Sequence, residues 1–331
     1  MNTAQDMIAR NTKNRFSQAP AGPPKPSRMT LGSVIKGPIA APIRVVLYGP
    51  HGIGKSTFAS NASKPIFLCA EDGTNELDVA RLKPQTWEEI FEAVAMLGSE
   101  EHDYKTLVID TLDWAEQLCW QSVYTRERKT SIEGLPYGRG FSIAHEEFRR
   151  LAAALDRLRE QKGMAVVLLA HSWIKSFRNP EGEDYDRYEM KLHKLAGSAL
   201  AEWADVLLFA NYETYTREND RKRTTGVSTG ARYAFTERTA AYDAKNRFSL
   251  PAQLPLHWED FAQAVADGRP ATVDSLRHKI AELLTHADDE LAELVTQTVT
   301  KAGDDAAQLA KIASRLEARI HLQQQGQETK Q

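Results

Sequence analysis

The stretch Gly49–Ser56, GPHGIGKS, fits the pattern G-x-x-x-x-G-K-[ST] at every fixed position. The apolar run IRVVLY leads into it and a helix-compatible stretch follows, so its glycines can turn the backbone and aim N–H groups at phosphate oxygens. Lys55 is expected to hold the β and γ phosphates of ATP, Ser56 to ligate Mg²⁺, and Thr57 to reach the α phosphate. The expected nucleotide-binding residues are Gly49, Pro50, His51, Gly52, Ile53, Gly54, Lys55, Ser56 and Thr57.

Two carboxylates complete this predicted phosphate site. TLVID is an apolar run that ends in Asp110, which is therefore the expected second ligand for Mg²⁺, beside Ser56. Many P-loop ATPases place a catalytic glutamate directly after this aspartate, but here Thr111 follows. Glu71 ends the second predicted strand, at the carboxyl edge of the sheet where ligands bind, and is the expected catalytic base. The alternative is that Glu71 is an exposed charge at a strand end.

A histidine ends another apolar run. His171 follows VVLLA, at the position where a side chain could hydrogen-bond the γ phosphate and respond to its loss. We therefore interpret His171 as a sensor in the catalytic site, with a purely structural histidine as the alternative.

The surrounding pattern is that of an α/β protein with a mainly parallel sheet. Short β-branched runs alternate with helical periodicity, and each run is almost unbroken, as expected when both faces of a sheet are covered. Strands are predicted over residues 43–48, 66–70, 106–109, 165–170 and 205–209, with shorter strands around 232–235 and 240–242. Apolar residues at spacings of three and four predict a helix over residues 146–161.

Four segments are predicted along the chain. Residues 1–40 are rich in Pro, Ala, Ser and basic residues and are expected to form a flexible basic arm. An ATPase core over residues 41–258 follows, then a small helical C-terminal region over 272–320. The Gln-rich tail, residues 321–331, is expected to be disordered.

Composition excludes several classes of protein. The net charge of −3 provides no global positive field, so any contact with nucleic acid must come from local basic segments. Cys69 and Cys119 lie in no zinc-site spacing, and no apolar run is long enough to span a bilayer. These features predict a soluble cytoplasmic protein with no membrane partner.

Taken together, these residues resemble the RecA-like recombination ATPases, in particular the phage ATP-binding proteins of the Sak type, which are described as single-strand annealing proteins. The resemblance spans residues 44–255. It rests on GPHGIGKST, the strand-end glutamate of LCAEDG, LVIDT, YGRG, LLAHS and AKNRF. It implies a RecA-like fold, hydrolysis of ATP with Mg²⁺, a homo-oligomer, single-stranded DNA as partner, and a single-strand-binding protein as a further candidate partner.

The resemblance also implies residues that act across a subunit boundary. Lys245 and Arg247 lie in a segment similar to the KNRFG motif of bacterial RadA, whose cations reach the ATP site of the neighbouring subunit. Ser249 stands where that motif has glycine, which puts the local turn in question. The alternative is a solvated basic strand end. A Phe-x-x-Ala segment at Phe16–Ala19 resembles a peptide that plugs into the next subunit, but the same spacing recurs at Phe141–Ala144 and Phe261–Ala264, so composition alone is the alternative.

Two segments are expected to contact DNA, because in RecA-like proteins the DNA-contacting segments follow the third and fourth strands. Residues 124–140 combine cations with glycines suited to a mobile loop. Residues 172–194 interleave cations with aromatic rings for base stacking, although acidic residues dilute this patch, and an ordinary loop with packed aromatics is the alternative. The expected DNA-binding residues are Arg126, Arg128, Lys129, Arg139, Trp173, Lys175, Phe177 and Arg178.

The leading hypothesis is an ATP-dependent DNA recombination protein that binds single-stranded DNA and promotes annealing or strand pairing. The alternative is a P-loop ATPase that acts as an assembly or loader factor for a protein partner in DNA replication or packaging. In that case the C-terminal helices would bind the partner. Stimulation of ATP hydrolysis by single-stranded DNA separates the two hypotheses.

Overall fold

The computed structural model describes residues 30–34, 39, 41–218, 224–268, 273–287 and 289–328. The chain divides into two compact units, Met1–Pro38 and Ile39–Gln331. In the first unit, Leu31–Ser33 form a single turn of 3-10 helix. Most of the predicted basic arm, including Phe16–Ala19, lies outside the described residues.

The second unit alternates strands and helices along most of its length. Its strands are β1 (Arg44–Gly49), β2 (Pro65–Cys69), β3 (Ala80–Leu82), β4 (Thr106–Asp110), β5 (Ala165–Phe177), β6 (Tyr185–Met190), β7 (Val206–Glu218), β8 (Thr224–Phe235), β9 (Lys245–Asn246) and β10 (Gln253–Pro255). Its helices are α1 (Lys55–Ser60), α2 (Trp87–Ser99), α3 (Leu112–Arg126), α4 (Arg139–Lys162), α5 (Lys194–Trp203), α6 (Trp258–Gly268), α7 (Val273–Leu284), α8 (Asp289–Ala302) and α9 (Ala306–Glu328).

The strands form one sheet whose centre is parallel, and the predicted α/β class with a mainly parallel sheet is confirmed. In the described residues the order is β10-β8-β7-β1-β5-β4-β2-β3, with β6 paired to β5 and β9 to β7. Strands β7, β1, β5, β4, β2 and β3 run parallel, whereas β8, β10, β6 and β9 are antiparallel to their neighbours. The P-loop strand β1 is thus separated from β4, which ends in Asp110, by β5 alone.

Alternate residues of the central strands pack into two hydrophobic core layers, one on each face of the sheet. Val46 and Tyr48 pack into the layer under α2–α5, while Val45 and Leu47 pack into the layer that contains Phe58 of α1 and residues of α6. Both sets of β1 residues are buried because both faces are covered, which is why the strand has an unbroken apolar sequence. Burial on both sides fixes the carboxyl edge of the sheet, where the site residues lie.

The structure corrects several predicted boundaries. Helix α4 begins at Arg139 instead of 146, so the segment expected to be a loop up to residue 140 ends at 138. The second expected loop is a β-hairpin, because β5 continues past His171 to Phe177 and pairs with β6. Helix α6, which begins at Trp258, packs Phe261 and Val265 into the same hydrophobic core as the central strands.

The C-terminal helices α7, α8 and α9 have a hydrophobic core of their own, which includes Leu276, Leu291 and Leu309. Helix α9 continues to Glu328, into the segment that was expected to be a disordered tail. In the described part of the chain, no helix is both long and apolar enough to cross a membrane.

Candidate active site

The loop between β1 and α1 depends on two glycines. Gly49 lies against β7 so closely that a Cβ atom would come within 2.3 Å of the Ala210 carbonyl oxygen. Gly54 has a φ of 107°, in the left-handed region that favours glycine, and it directly precedes α1. These positions explain why the motif fixes glycine at both ends of a loop that must turn tightly and present its N–H groups to phosphate.

Lys55 folds back over this loop. Its Nζ donates to the carbonyl oxygens of Gly49, at 3.2 Å, and Pro50, at 3.0 Å. Burial lowers the pKa of the amine, against the opposing effect of the Asp110, Asp113 and Glu71 carboxylates. Among the described residues this buried ammonium is hydrogen-bonded to neutral carbonyls, so binding of an anion such as phosphate would compensate its charge.

Ser56 and Asp110 meet at the predicted magnesium position. The Ser56 hydroxyl donates to Asp110 Oδ2 at 2.6 Å, and burial raises the pKa of Asp110. Asp110 Oδ1 is buried and has no hydrogen-bond partner among the described residues. Nor does that part of the chain contain a cluster of three or more His, Cys, Asp or Glu side chains that could hold a metal. One carboxylate and one hydroxyl fit Mg²⁺ bound together with nucleotide phosphates.

Glu71 lies beside Asp110 at the end of β2. Its backbone N–H donates to the Asp110 carbonyl at 3.4 Å, and its Oε2 accepts from the Thr111 hydroxyl at 3.3 Å. Burial raises the pKa of Glu71; the nearby Asp110 and Asp113 act in the same direction, while His171 opposes them. Parallel pairing of β2 with β4 brings the two acids to one edge, as the sequence predicted from strand ends.

His171 is buried at the same edge and is oriented by Asp113. Asp113 accepts from the His171 backbone N–H at 3.1 Å and lies 2.9 Å from its Nδ1. Burial raises the pKa of Asp113, but the hydrogen bonds with His171 lower it by more. The net shift is therefore downward, and the carboxylate stays charged. The His171 ring also lies against P-loop residue His51, with 4.3 Å between ring centroids. His171 is therefore fixed from one side by α3 and from the other by the P-loop.

Comparison with protein families agrees with this geometry. A family model described as an AAA domain, AAA_24, matches residues 41–248, which is more than half of the chain. The chain belongs to this AAA family. It is therefore a P-loop ATPase domain and binds nucleotide. No curated protein sequence matches it significantly. Among solved structures, the crystal structure of the RadB recombinase is similar at 15% identity and a TM-score of 0.39, covering 66% of this chain and 90% of that one.

Three residues of the AAA domain that contact the site were missed by sequence reasoning. Asp113 lies in the first turn of α3, where an acidic residue is too common to indicate a role. Tyr212 and Arg232 lie on β7 and β8, and their side chains donate to the P-loop carbonyls of Gly52, at 3.3 Å, and Ile53, at 3.2 Å. No local motif could indicate these contacts, because the pairing of distant strands creates them.

The segment expected to reach a neighbouring subunit contacts its own chain here. Lys245 Nζ donates to the carbonyl oxygens of Ala201 and Glu202 at the end of α5, and Arg247 lies 3.3 Å from Asp205. Ser249 has a φ of 52°, so it takes the left-handed conformation that glycine would favour. The turn in question is thus present despite the serine.

The side chain of Asn246 stabilises that turn. Its Oδ1 accepts from the backbone N–H groups of Phe248 and Leu250, and its Nδ2 donates to the Leu250 carbonyl. These three bonds supply local support that lets a serine occupy the left-handed position.

The first predicted DNA segment of the AAA domain is divided between two helices and a connection. Arg126 is the last residue of α3 and bonds the buried Glu147 at 3.2 Å, while Arg139 begins α4 and lies 3.9 Å from Glu127. Arg128 and Lys129 are exposed in the connection. Of the four predicted cations, these two are thus on the segment that retains a loop conformation.

The second predicted segment is the hairpin formed by β5 and β6. Trp173, Lys175 and Phe177 alternate on β5 and therefore share one face, and Arg178 follows the strand. The Lys175 ammonium lies 5.8 Å from the centroid of the Trp173 ring, and both side chains are about half exposed. The predicted aromatic and basic groups Trp173, Lys175 and Phe177 thus lie on one surface.

Proposed function

We propose that this AAA domain is a RecA-type ATPase of DNA recombination, similar to the phage Sak proteins, which binds single-stranded DNA and promotes annealing or strand pairing. One observation carries the proposal. Strand β5 includes both His171, at the nucleotide site, and the exposed Trp173 and Lys175, on the hairpin. A change at the γ phosphate can therefore reach a DNA-contacting surface through only two residues of rigid strand.

Hydrolysis would use groups that lie together at the sheet edge. Lys55 and the loop N–H groups bind the phosphates, and Ser56 and Asp110 hold Mg²⁺, which neutralises the phosphate charge when bound. Glu71 orients the attacking water and accepts its proton, and its raised pKa makes the carboxylate a better base than an exposed glutamate. The Thr111 hydroxyl holds the Glu71 side chain toward Asp110.

Coupling to the hairpin would run through the first turns of α3, which directly follow Asp110. Asp113 holds His171, where the hairpin leaves the sheet, and Glu116 accepts from the backbone N–H of His193, where the chain returns, at 3.0 Å. The Lys191 N–H also donates to the His171 carbonyl, at 2.8 Å. Helix α3 is thus hydrogen-bonded to both ends of the hairpin, so a shift of α3 would move the hairpin as a unit.

Assembly would complete the site. Lys245 and Arg247 are proposed to act on the ATP of a neighbouring subunit, as in RadA-like proteins, and burial lowers the pKa of Lys245. Within one chain Lys245 is held by carbonyls of α5, so action in trans requires it to exchange those two bonds for phosphate. A homo-oligomer therefore belongs to the proposal.

The test measures ATP turnover with and without single-stranded DNA. Stimulation by DNA supports the recombination ATPase, and Trp173→Ala should reduce that stimulation while basal turnover persists. The second candidate is an ATP-dependent loader of a protein partner, and the separate core of α7–α9 together with the exposed Leu294 favours it. If the protein does not bind DNA and DNA does not change its turnover rate, the loader function is favoured.

A further inference from the structure

A cavity of about 570 Å³ lies at the base of the hairpin. Its walls come mainly from β6, from α5 and from the segment that leads into β9, with Tyr48 of β1 and Leu207 of β7, and none of the residues Gly49–Ser56 lines it. Cavities of this size hold small ligands or parts of larger ones in other proteins. Apart from Lys245, no residue with a role in the ATP chemistry described above lines the cavity.

Arg187 of β6 lines this cavity and carries a charge that the described residues leave unpaired. Its side chain is buried, with a relative exposure of 6%, and its Nε has no hydrogen-bond partner. No carboxylate in the described part of the chain forms an ion pair with it, and its one aromatic contact is with the Phe177 ring, 5.3 Å from the guanidinium. An unpaired buried cation is costly, so a missing anion is the simplest account of its retention.

Most of the other charged side chains of the cavity already have partners. Glu189 lies 3.6 Å from Lys175, and Asp243 lies 3.4 Å from Arg238. Lys245 donates to the two carbonyls at the end of α5, and Glu202 accepts weakly, at 3.5 Å, from Ser198. Lys194 adds a second cation to the lining. Arg187 is therefore the group whose pairing an incoming anion would complete.

The position of Arg187 indicates where that anion comes from. Arg187 lies directly opposite Lys175 in the hairpin register, so its side chain shares a face with Trp173 and Phe177. A nucleic-acid strand whose bases stack on these rings would carry its phosphates along the same face. A phosphate that enters the cavity would meet the planar guanidinium, which suits bidentate binding of phosphate.

We propose that this cavity is a phosphate site for single-stranded DNA, in which Arg187 binds one backbone phosphate while the hairpin aromatics stack on the adjoining bases. The proposal rests on the proposed DNA-binding function and extends it with a defined anchor. It also explains a buried, unpaired arginine that ATP hydrolysis does not use.

The first experiment measures binding of a short fluorescent oligothymidylate by the full-length protein over a range of salt, with ATP and Mg²⁺ present. Arg187→Met should weaken binding about tenfold, since a charge-assisted bond is lost. It should also make the log–log salt slope shallower by about 0.7, the value for one phosphate contact on a single strand. Arg187→Lys should keep most of the slope. Arg157→Met, which removes an exposed arginine from α4, should change neither quantity.

The second experiment measures thermal unfolding without DNA. Because Met keeps the packing on Phe177 and removes an unpaired buried charge, Arg187→Met should raise the unfolding midpoint. A lower midpoint means that the guanidinium is structural and overturns the proposal. Equal salt slopes for wild type and Arg187→Met, with DNA bound by both, overturn the phosphate site alone. Absence of any DNA binding by the wild type overturns the proposed function as well.

A last arm separates strand phosphate from free nucleotide. ADP and Mg²⁺ are first added to saturate the P-loop. Addition of dTMP should then shift the unfolding midpoint of neither the wild type nor Arg187→Met, because an isolated nucleotide lacks the neighbouring stacked bases. A dTMP shift that depends on Arg187, together with an unchanged DNA slope, assigns the cavity to a free nucleotide and contradicts the strand proposal.

Discussion

Strand β5 belongs to two regions, the carboxyl edge of the sheet beside the P-loop and the β5–β6 hairpin. The side chains of the two regions are held by different kinds of contact. At the edge, several polar side chains are buried or half-buried and have partners from another element, as in the pairs Ser56–Asp110 and His171–Asp113. On the hairpin, contacts such as that of Lys175 with Trp173 join neighbouring exposed residues. The fold therefore fixes the geometry of the nucleotide-site edge, whereas the hairpin surface is held by contacts between exposed neighbours.

The largest expected effect tests whether the edge is complete within one subunit. Changing both Lys245 and Arg247 to alanine should lower turnover by about 10³–10⁵-fold, the range for an arginine finger, while an isolated subunit still binds ATP. Adding Lys55→Ala subunits, which bind phosphate poorly but keep both cations, should partly restore turnover. Arg157→Ala is the control for loss of positive charge. If verified mixed oligomers show no restoration, the two residues do not act in trans.

Glu71 tests which acid of the edge is the base. Glu71→Gln keeps the length of the side chain and can still accept from Thr111, so ATP binding should be unchanged. Hydrolysis should fall by about 10²–10⁴-fold because no carboxylate accepts the proton of water. Nucleotide binding and single-turnover hydrolysis measure the two effects separately.

A Glu71→Gln protein that hydrolyses ATP at the wild-type rate would move the role to another acid. Asp72 is the next in sequence, but it is exposed and bonds Lys83 at 2.7 Å. That contact also lowers the pKa of Asp72, which makes it a weaker base than Glu71. Asp72→Asn is therefore expected to leave turnover close to wild type.

The hairpin should respond through stacking. Trp173→Ala should weaken binding of single-stranded DNA by about 1–3 kcal/mol at every salt concentration, because stacking carries no counterion release. The slope of affinity against salt should stay the same, unlike the change expected for Arg187. Ile174→Ala provides a matched control, since Ile174 is the next residue on β5, is also exposed and points to the opposite face. Equal losses for both variants would argue against stacking.

Glu116 joins the two regions and should make stability depend on pH. Burial raises its pKa from 4.5 to about 7. The native state therefore binds this proton more tightly than the unfolded state, so the stabilisation is complete below about pH 4.5 and is lost as pH rises through about 7. Glu116→Gln should remove that loss and raise the free energy of unfolding near pH 8 by at most about 3 kcal/mol. Denaturant titrations at several pH values measure the difference, and parallel curves for both proteins would contradict it.

The difference between the sheet edge and the hairpin also explains what the sequence could predict. The P-loop, Asp110 and the central strands were predictable because they are local patterns, and Glu71 followed from the rule that parallel strands end at one edge. The family match and the sheet confirm the fold class and nucleotide binding. The catalytic and DNA-binding roles of individual residues stay predictions.

The remaining contacts depend on distances along the chain that no local pattern contains. Arg232 reaches the P-loop from 179 residues away, through the pairing of β8 with β7. The hairpin was predicted as a loop because its exposed strands have mixed polarity, without the apolar run that identified the buried half of β5. Arg187 lies within residues 172–194, predicted to interleave cations with aromatic rings, but no local pattern indicates that it is buried.

The smallest expected effect concerns the turn after Lys245, where the sequence departs from the RadA-like motif. Ser249 holds a φ of 52°, which costs a residue with a Cβ about 1–2 kcal/mol, whereas glycine takes it freely but loses about 0.5–1 kcal/mol more entropy on folding. Ser249→Gly should therefore raise the free energy of unfolding by roughly 0.5–1 kcal/mol and leave turnover unchanged, because the Asn246 bonds already hold Lys245 and Arg247 in place. Ser249→Ala keeps the Cβ and should give no gain. If Ser249→Gly instead lowers turnover, the serine hydroxyl has a role of its own, and the segment differs from the RadA motif in more than backbone strain.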